Sequence, residues 1–265
     1  MPLPVHRHGA NPRKRPSALA LLGFAVAWLF AGSAIADATR IAVASGLRHA
    51  MNDLVAQFQE QYPEHRLAVS YGSSGSLRTQ IANGAPFSAF FAADMARPEA
   101  LVDSGHAGSA VRHYASGQLV LWTRNQGDAT ELADLKDPSF RRIAIAHPEH
   151  APYGARAVEA LQAEGVYEAV ADRLVTGNTV TRALQQAQSG AAQAALIPLS
   201  LAIHPNIAEQ GQYTPIDPEL HHPLEHGYII TRRGAEDEAV ARFMEFVGST
   251  AGRETLREHG FHPPE

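Results

Sequence analysis

The sequence has no cysteine, so neither a disulfide framework nor thiol chemistry is open to it. It has no run of about 20 apolar residues, the length that a membrane-spanning helix needs. The longest such stretch, Ala18 to Ala31, falls short. No His-Glu-x-x-His occurs, and Gly-x-Ser-x-Gly appears only out of register as Gly72-Ser73-Ser74-Gly75, which removes two common hydrolase signatures. Repeats and low-complexity tracts are absent after the first residues. What remains, 45% apolar and 18% charged over 265 residues, suits one large or two small globular domains.

Residues 1–36 differ in character from the rest. A basic start (Arg7, Arg13, Lys14, Arg15) precedes the apolar stretch, and Ala34-Ile35-Ala36 stands before Asp37. This is the pattern of a cleavable secretory signal peptide cut after Ala36, rather than of a retained anchor. Its removal takes four of the 22 basic residues and none of the 27 acidic ones, leaving a formal charge of −9. Nucleic acid and anionic membrane surfaces are thereby disfavoured as partners. An exported, cysteine-free, acidic chain reads as a soluble bacterial periplasmic protein.

The stretch Ser70-Tyr71-Gly72-Ser73-Ser74-Gly75-Ser76-Leu77 carries the strongest chemical signal. An apolar strand from Leu67 to Tyr71 runs through small residues into a helix beginning near Ser74. The first N–H groups of a helix have no intrahelical partner and lie at its positive end, so such a turn can hold an oxyanion. No lysine or arginine lies between Arg66 and Arg78, so binding here would use neutral donors. The plainer reading is that Ser73 or Ser74 only caps its helix.

A second turn of this kind comes one unit earlier. The strand Arg40 to Ser45 ends in Ala44-Ser45-Gly46, before a helix with Leu47, Met51, Leu54, Val55 and Phe58 at helical spacing. In an open parallel sheet both turns would lie at the carboxyl ends of neighbouring strands, where ligand crevices form. Further strands are expected at Ala89–Ala92, Gln118–Thr123, Arg142–Ala146, Arg173–Thr176, Ala194–Ile197 and Gly227–Thr231, with helices between them. His147-Pro148-Glu149-His150-Ala151-Pro152-Tyr153-Gly154 and Gly177-Asn178-Thr179-Val180 each open another helix. The order predicts two α/β lobes, each a mostly parallel sheet flanked by helices, joined by two crossings: residues 37–117 in lobe one, 118–223 in lobe two, and 224–265 returning to lobe one.

Taken together, Ala44-Ser45-Gly46-Leu47, Gly72-Ser73-Ser74-Gly75-Ser76-Leu77 with Gln80-Ile81 and Gly84-Ala85-Pro86, Ala92-Ala93-Asp94 and the Pro148-to-Gly154 segment resemble the periplasmic molybdate-binding proteins of ABC transporters, the ModA-type branch of the type II solute-binding proteins. The resemblance runs from about Ile41 to Phe261. It implies a monomeric binding protein, not an enzyme, that closes around molybdate or tungstate without a cofactor. It also implies delivery to an inner-membrane permease and its ATPase. Carried over by position, the oxyanion contacts fall on Ser45 with the Gly46 backbone, Ser74, Tyr153 and the Val180 N–H, with the molybdenum held only through its oxygens. Gly46 stands where many members have serine or asparagine. Pro198 stands where one subgroup has a ligand-binding tyrosine, and a proline offers neither hydroxyl nor N–H. The Tyr153 hydroxyl is expected to take over that role.

Other readings are weaker. The 14 histidines, including His147, His150 and the pair His221-His222, suggest a metal-dependent hydrolase, but without a metal motif they read as surface or capping residues. A ferric-iron carrier would want a tyrosine and carboxylate cluster, and no adjacent tyrosine pair exists. A phosphate site would want an acceptor for the bound proton, and the turns at Ser45, Ser74 and Val180 carry none. Sulfate or another tetrahedral dianion is the remaining alternative, with Asp94 and Glu149 as the nearby charges to be placed.

Overall fold

A computed structural model describes residues 38–125 and 129–264. The expected signal peptide and its cleavage point lie outside these residues. No described helix is long and apolar enough to cross a membrane.

Two five-stranded sheets organise the chain. The first contains β1 (Thr39–Ala44), β2 (Leu67–Gly72), β3 (Ala89–Phe91) and β4 (Arg112–Ser116), with β10 (Glu225–Ile230) between the last two, in the order β2-β1-β3-β10-β4. The second contains β5 (Leu119–Thr123), β6 (Ile143–Ala146), β7 (Leu174–Gly177), β8 (Ala194–Pro198) and β9 (Gln212–Pro215), in the order β7-β6-β8-β5-β9. In each sheet one strand runs against the others, β10 in the first and β5 in the second. These are the strands by which the chain enters a sheet after leaving the other, so the mostly parallel arrangement is interrupted where the chain crosses. The two connections touch, because the Gly117 N–H donates to the Leu224 carbonyl at 2.9 Å.

Helices cover the sheets: α1 (Arg48–Gln61), α2 (Ser74–Ala82) and α3 (Ala96–Asp103) before the first crossing, then α4 (Pro152–Ala163), α5 (Tyr167–Val170), α6 (Val180–Gln188), α7 (Leu199–Ala202) and α8 (Pro205–Ala208), and finally α9 (Glu238–Gly248) and α10 (Thr250–Glu258). Their starts are local sequence events. Ser73 caps α2, its Oγ accepting the Ser76 N–H at 3.3 Å, and Thr179 caps α6 in the same way toward Arg182 at 3.1 Å. Pro152 takes the first position of α4, where a missing N–H costs nothing. The apolar face of α1 (Ala50, Met51, Leu54, Val55, Phe58) is buried, and Phe58 meets Phe243 of α9 edge to face at 5.2 Å. In the second sheet the middle strands are continuous apolar runs, as burial on both faces requires; every residue of β5, β6 and β8 is buried.

Most sequence-expected strands appear within a residue or two. β4 and β9 were not expected, because their mixed sequences, Arg-His-Tyr-Ala-Ser and Gln-Tyr-Thr-Pro, belong to edge strands half open to solvent and show no apolar run.

Candidate functional site

Four helix N-termini meet at one place between the sheets. After β1 the chain turns through a 3₁₀ segment, Ser45–Leu47, directly into α1; after β2 it enters α2 at Ser74; after β6 it enters α4 at Pro152; after β7 it enters α6 at Val180. Each strand ends with its carboxyl end toward this point, so the positive helix ends converge without any cationic side chain. Ser45, Gly46, Ser74, Tyr153 and Val180, the five residues expected from the sequence, all line the same cavity, together with Ser73, Ala93 and Pro152 among others. The cavity is nearly closed, with a volume of about 10 Å³, the scale of a single small bound species and far below the roughly 300–1,000 Å³ of pockets for larger organic ligands. A wider groove of about 510 Å³, open to solvent beside Phe87, His106 and Arg232, is not lined by these strand-to-helix turns.

The donors are poised. Ser74 is 1% exposed, and its Oγ accepts the Ala93 N–H at 3.0 Å, which leaves its own proton to donate elsewhere. Ser73 is occupied as the cap and donates to Ser76 Oγ at 2.8 Å, so the two serines divide the capping and the binding readings between them. No hydrogen bond among the described residues engages Ser45 Oγ. Val180 and Tyr153 stand first and second in their helices, where backbone N–H groups have no intrahelical acceptor.

Among the described residues, no charged side chain lines the cavity. The two nearby carboxylates are directed elsewhere: Asp94 forms an ion pair with Arg97, while Glu149 sits on an exposed turn. Arg97 in turn donates to the Glu149 carbonyl at 2.9 Å, bridging the lobes beside the cavity. Closure is further held by the Gly75 N–H donating to the His150 carbonyl at 2.8 Å and by Ser200 Oγ donating to the Gly46 carbonyl at 2.8 Å. Ser200 was missed in the sequence, since nothing local to a serine after an apolar strand reveals a partner 154 positions away.

The two departures from the family pattern fit each other. A Cβ added to Gly46 would meet Pro198 Cγ at 3.1 Å and Val180 Cγ2 at 3.5 Å, so the proline ring occupies the room that a serine side chain would need. Gly46→Ser is therefore expected to hold the lobes apart and weaken binding by about 1–3 kcal/mol, roughly 5- to 150-fold. Adding Pro198→Ala should restore much of the affinity, which titration calorimetry of the single and double variants will show.

Tyr153 requires a correction. Its hydroxyl does not stand in for the ligand-binding tyrosine whose place Pro198 takes. The side chain runs to the crossing between the lobes, where the hydroxyl meets His226 Nε2 at 3.3 Å and would lie 1.9 Å from a Cβ at Gly117. With the hydroxyl engaged there, the group of Tyr153 left without an intrahelical partner beside the cavity is its backbone N–H, at the second position of α4. Burial drives the Tyr153 hydroxyl far above the ordinary tyrosine range, so it stays protonated. Tyr153→Phe should thus leave affinity within about threefold while lowering stability by about 1–3 kcal/mol, because buried His226 is left without its partner. Calorimetry and thermal melting on the same preparation separate the two effects.

His226 is fully buried, and burial, with a smaller contribution from His113, lowers its pKa from 6.5 to about 3. The unfolded chain takes up a proton at this histidine near pH 6.5 and the folded chain only near 3, so its contribution to stability is complete above 6.5 and lost as pH falls below it. The decrease from this group is about 1.4 kcal/mol per pH unit. A melting temperature unchanged between neutrality and pH 5 would contradict it.

Comparison with known proteins agrees with this architecture. The family model described as bacterial extracellular solute-binding protein matches residues 39–262. The molybdate-binding protein ModA of Rhodobacter capsulatus is 33% identical over 222 residues, 83% of this chain and 86% of that protein. ModA of Azotobacter vinelandii is 32% identical over 237 residues, 89% of this chain and 94% of that protein. The solved periplasmic molybdate-binding protein of Azotobacter vinelandii superposes with a TM-score of 0.81 at 30% identity, covering 85% of this chain and 99% of its own. These are solute-binding proteins and not enzymes. The chain belongs to the bacterial extracellular solute-binding proteins, in their ModA-type branch with the type II two-lobe fold.

Proposed function

We propose that the protein is the periplasmic receptor of an ABC importer for molybdate, and for tungstate equally, which it carries as a monomer to an inner-membrane permease and its ATPase. The observation that carries this reading is the small cavity walled by four helix N-termini, without a charged side chain, in a ModA-type chain. In this reading Ser45 and Ser74 donate hydroxyl protons, and Gly46, Tyr153 and Val180 donate backbone N–H groups, to the oxygens of a tetrahedral dianion. No cofactor takes part. Hydrogen bonds to a charged group are each worth about 1.5–3 kcal/mol, and several together account for tight but reversible capture. The alternative of a dedicated sulfate carrier is not favoured by the ModA relatives.

Residues 37–117 and 224–265 make the first lobe and 118–223 the second, so neither lobe alone completes the donor set and ligand capture is linked to closure. Residues 1–36 are a signal peptide removed after Ala36 on export. Calorimetric titration of the mature chain with molybdate, tungstate, sulfate and phosphate tests the function directly. One equivalent of molybdate bound tightly supports it, and binding only of phosphate or of no anion refutes it.

A further inference from the structure

The turn between β6 and α4 gathers three potential metal ligands that chain order alone did not mark as a site. Atoms of His147, Glu149 and His150 able to bind a metal lie within 4.8 Å of one another. The turn is closed by His150 N–H and Ala151 N–H donating to the His147 carbonyl at 3.1 and 2.9 Å. It is tied to β7 by the His147 N–H donating to the Gly177 carbonyl at 2.8 Å. The two imidazole centroids are 4.7 Å apart. Their planes are stacked at 22°, so one ring must turn about its side-chain bonds for both to present a nitrogen to one ion at about 2.1 Å. His147 Nδ1 is buried with no hydrogen-bond partner among the described residues, and none of the ion pairs or hydrogen bonds found there engages the Glu149 carboxylate or the His150 ring.

We propose that His147, Glu149 and His150 form a binding site for a divalent transition-metal ion, such as Zn²⁺, on the seam between the lobes. Two imidazoles and a carboxylate suit zinc, nickel or copper rather than magnesium or calcium, and three ligands leave a position for water. The same turn is laid against the first lobe. The His150 carbonyl accepts from Gly75 at 2.8 Å and the Glu149 carbonyl accepts from Arg97 at 2.9 Å, while Tyr153 lies only three residues further on. An ion chelated here fixes the turn in the form that meets the first lobe. Metal and oxyanion should therefore tighten each other's binding by the same factor. The metal site stands independently of the oxyanion reading; only the linkage rests on it.

The test is calorimetric titration of the untagged mature chain with zinc chloride, alone and with saturating tungstate, together with Glu149→Gln and His150→Ala, two exposed positions outside the oxyanion cavity. One zinc per chain is expected, weakened at least about tenfold by either substitution, with zinc binding tighter when tungstate is present. Cobalt as a second probe should give a visible absorption band that both variants lose. Absence of zinc binding, or binding that survives both substitutions, overturns the site. In a chain that a parallel titration shows to bind tungstate, zinc binding of equal strength with and without it overturns the link to closure; a chain that binds no tungstate refutes the oxyanion reading and the link with it, and the zinc titration alone then decides the metal site.

Discussion

Sulfate is expected to bind on the order of 1,000-fold more weakly than molybdate, while tungstate displaces molybdate almost one for one. The three ions are tetrahedral dianions with the same acceptor chemistry, and a cavity lined by hydroxyls and N–H groups, without a charged side chain, cannot separate them by charge. Size decides. The donors are held in fixed positions by contacts between the lobes, Ser200 to Gly46 and Gly75 to His150. A cage fitted to the larger ions leaves the oxygens of sulfate short of some of these donors. Each buried bond left unmade costs about 1–3 kcal/mol, so two such bonds give the stated ratio. In thermal melting, molybdate at about 1,000 times its dissociation constant should add roughly 4 kcal/mol of stability. Sulfate raising the melting temperature at the same concentrations would make this a general oxyanion carrier.

Ser74→Ala should weaken molybdate binding by about 10- to 150-fold, the equivalent of one charge-assisted bond of roughly 1.5–3 kcal/mol. The position is specific. Ser74 Oγ accepts from Ala93 within the buried wall, which directs its proton away from that bond, and the closed lobes keep water from replacing the missing donor. Two residues along, exposed Ser76 pairs with the capping Ser73 and does not line the cavity. Ser76→Ala should change affinity by less than about threefold, since an exposed hydrogen bond is readily exchanged for one to water. Titrations of the two variants side by side give the comparison, and equal effects would place the binding hydroxyl wrongly.

How far the site could be read in the sequence follows from how local its parts are. Ser45, Ser74 and Val180 stand where a strand passes through a hydroxyl and a glycine or asparagine into a helix. The capping preferences and the free N–H groups of such a turn are properties of a few consecutive residues. The apolar runs of β5, β6 and β8 were legible for a similar reason, because burial on both faces removes polar alternation. The direction of the Tyr153 side chain was not legible. It is settled by His226, 73 residues away, and by the room at Gly117 on the crossing between lobes. The complementarity of Gly46 and Pro198 was equally hidden: each appeared as a separate departure from the family pattern, and only closure brings the ring against the missing Cβ. The turn at His147–His150 shows the same limit, since its ligands converge through backbone turns and a tie to β7 rather than through a recognisable spacing.

The central claim is that one oxyanion is held between the lobes by neutral donors from both. Anomalous diffraction at the tungsten edge from crystals of the tungstate complex measures this most directly. One peak is predicted per chain, its oxygens within about 2.7–3.2 Å of Ser45 Oγ, Ser74 Oγ and the N–H groups of Gly46, Tyr153 and Val180. A peak beside Arg232 or Arg97, or one contacting the residues of a single lobe only, would contradict it.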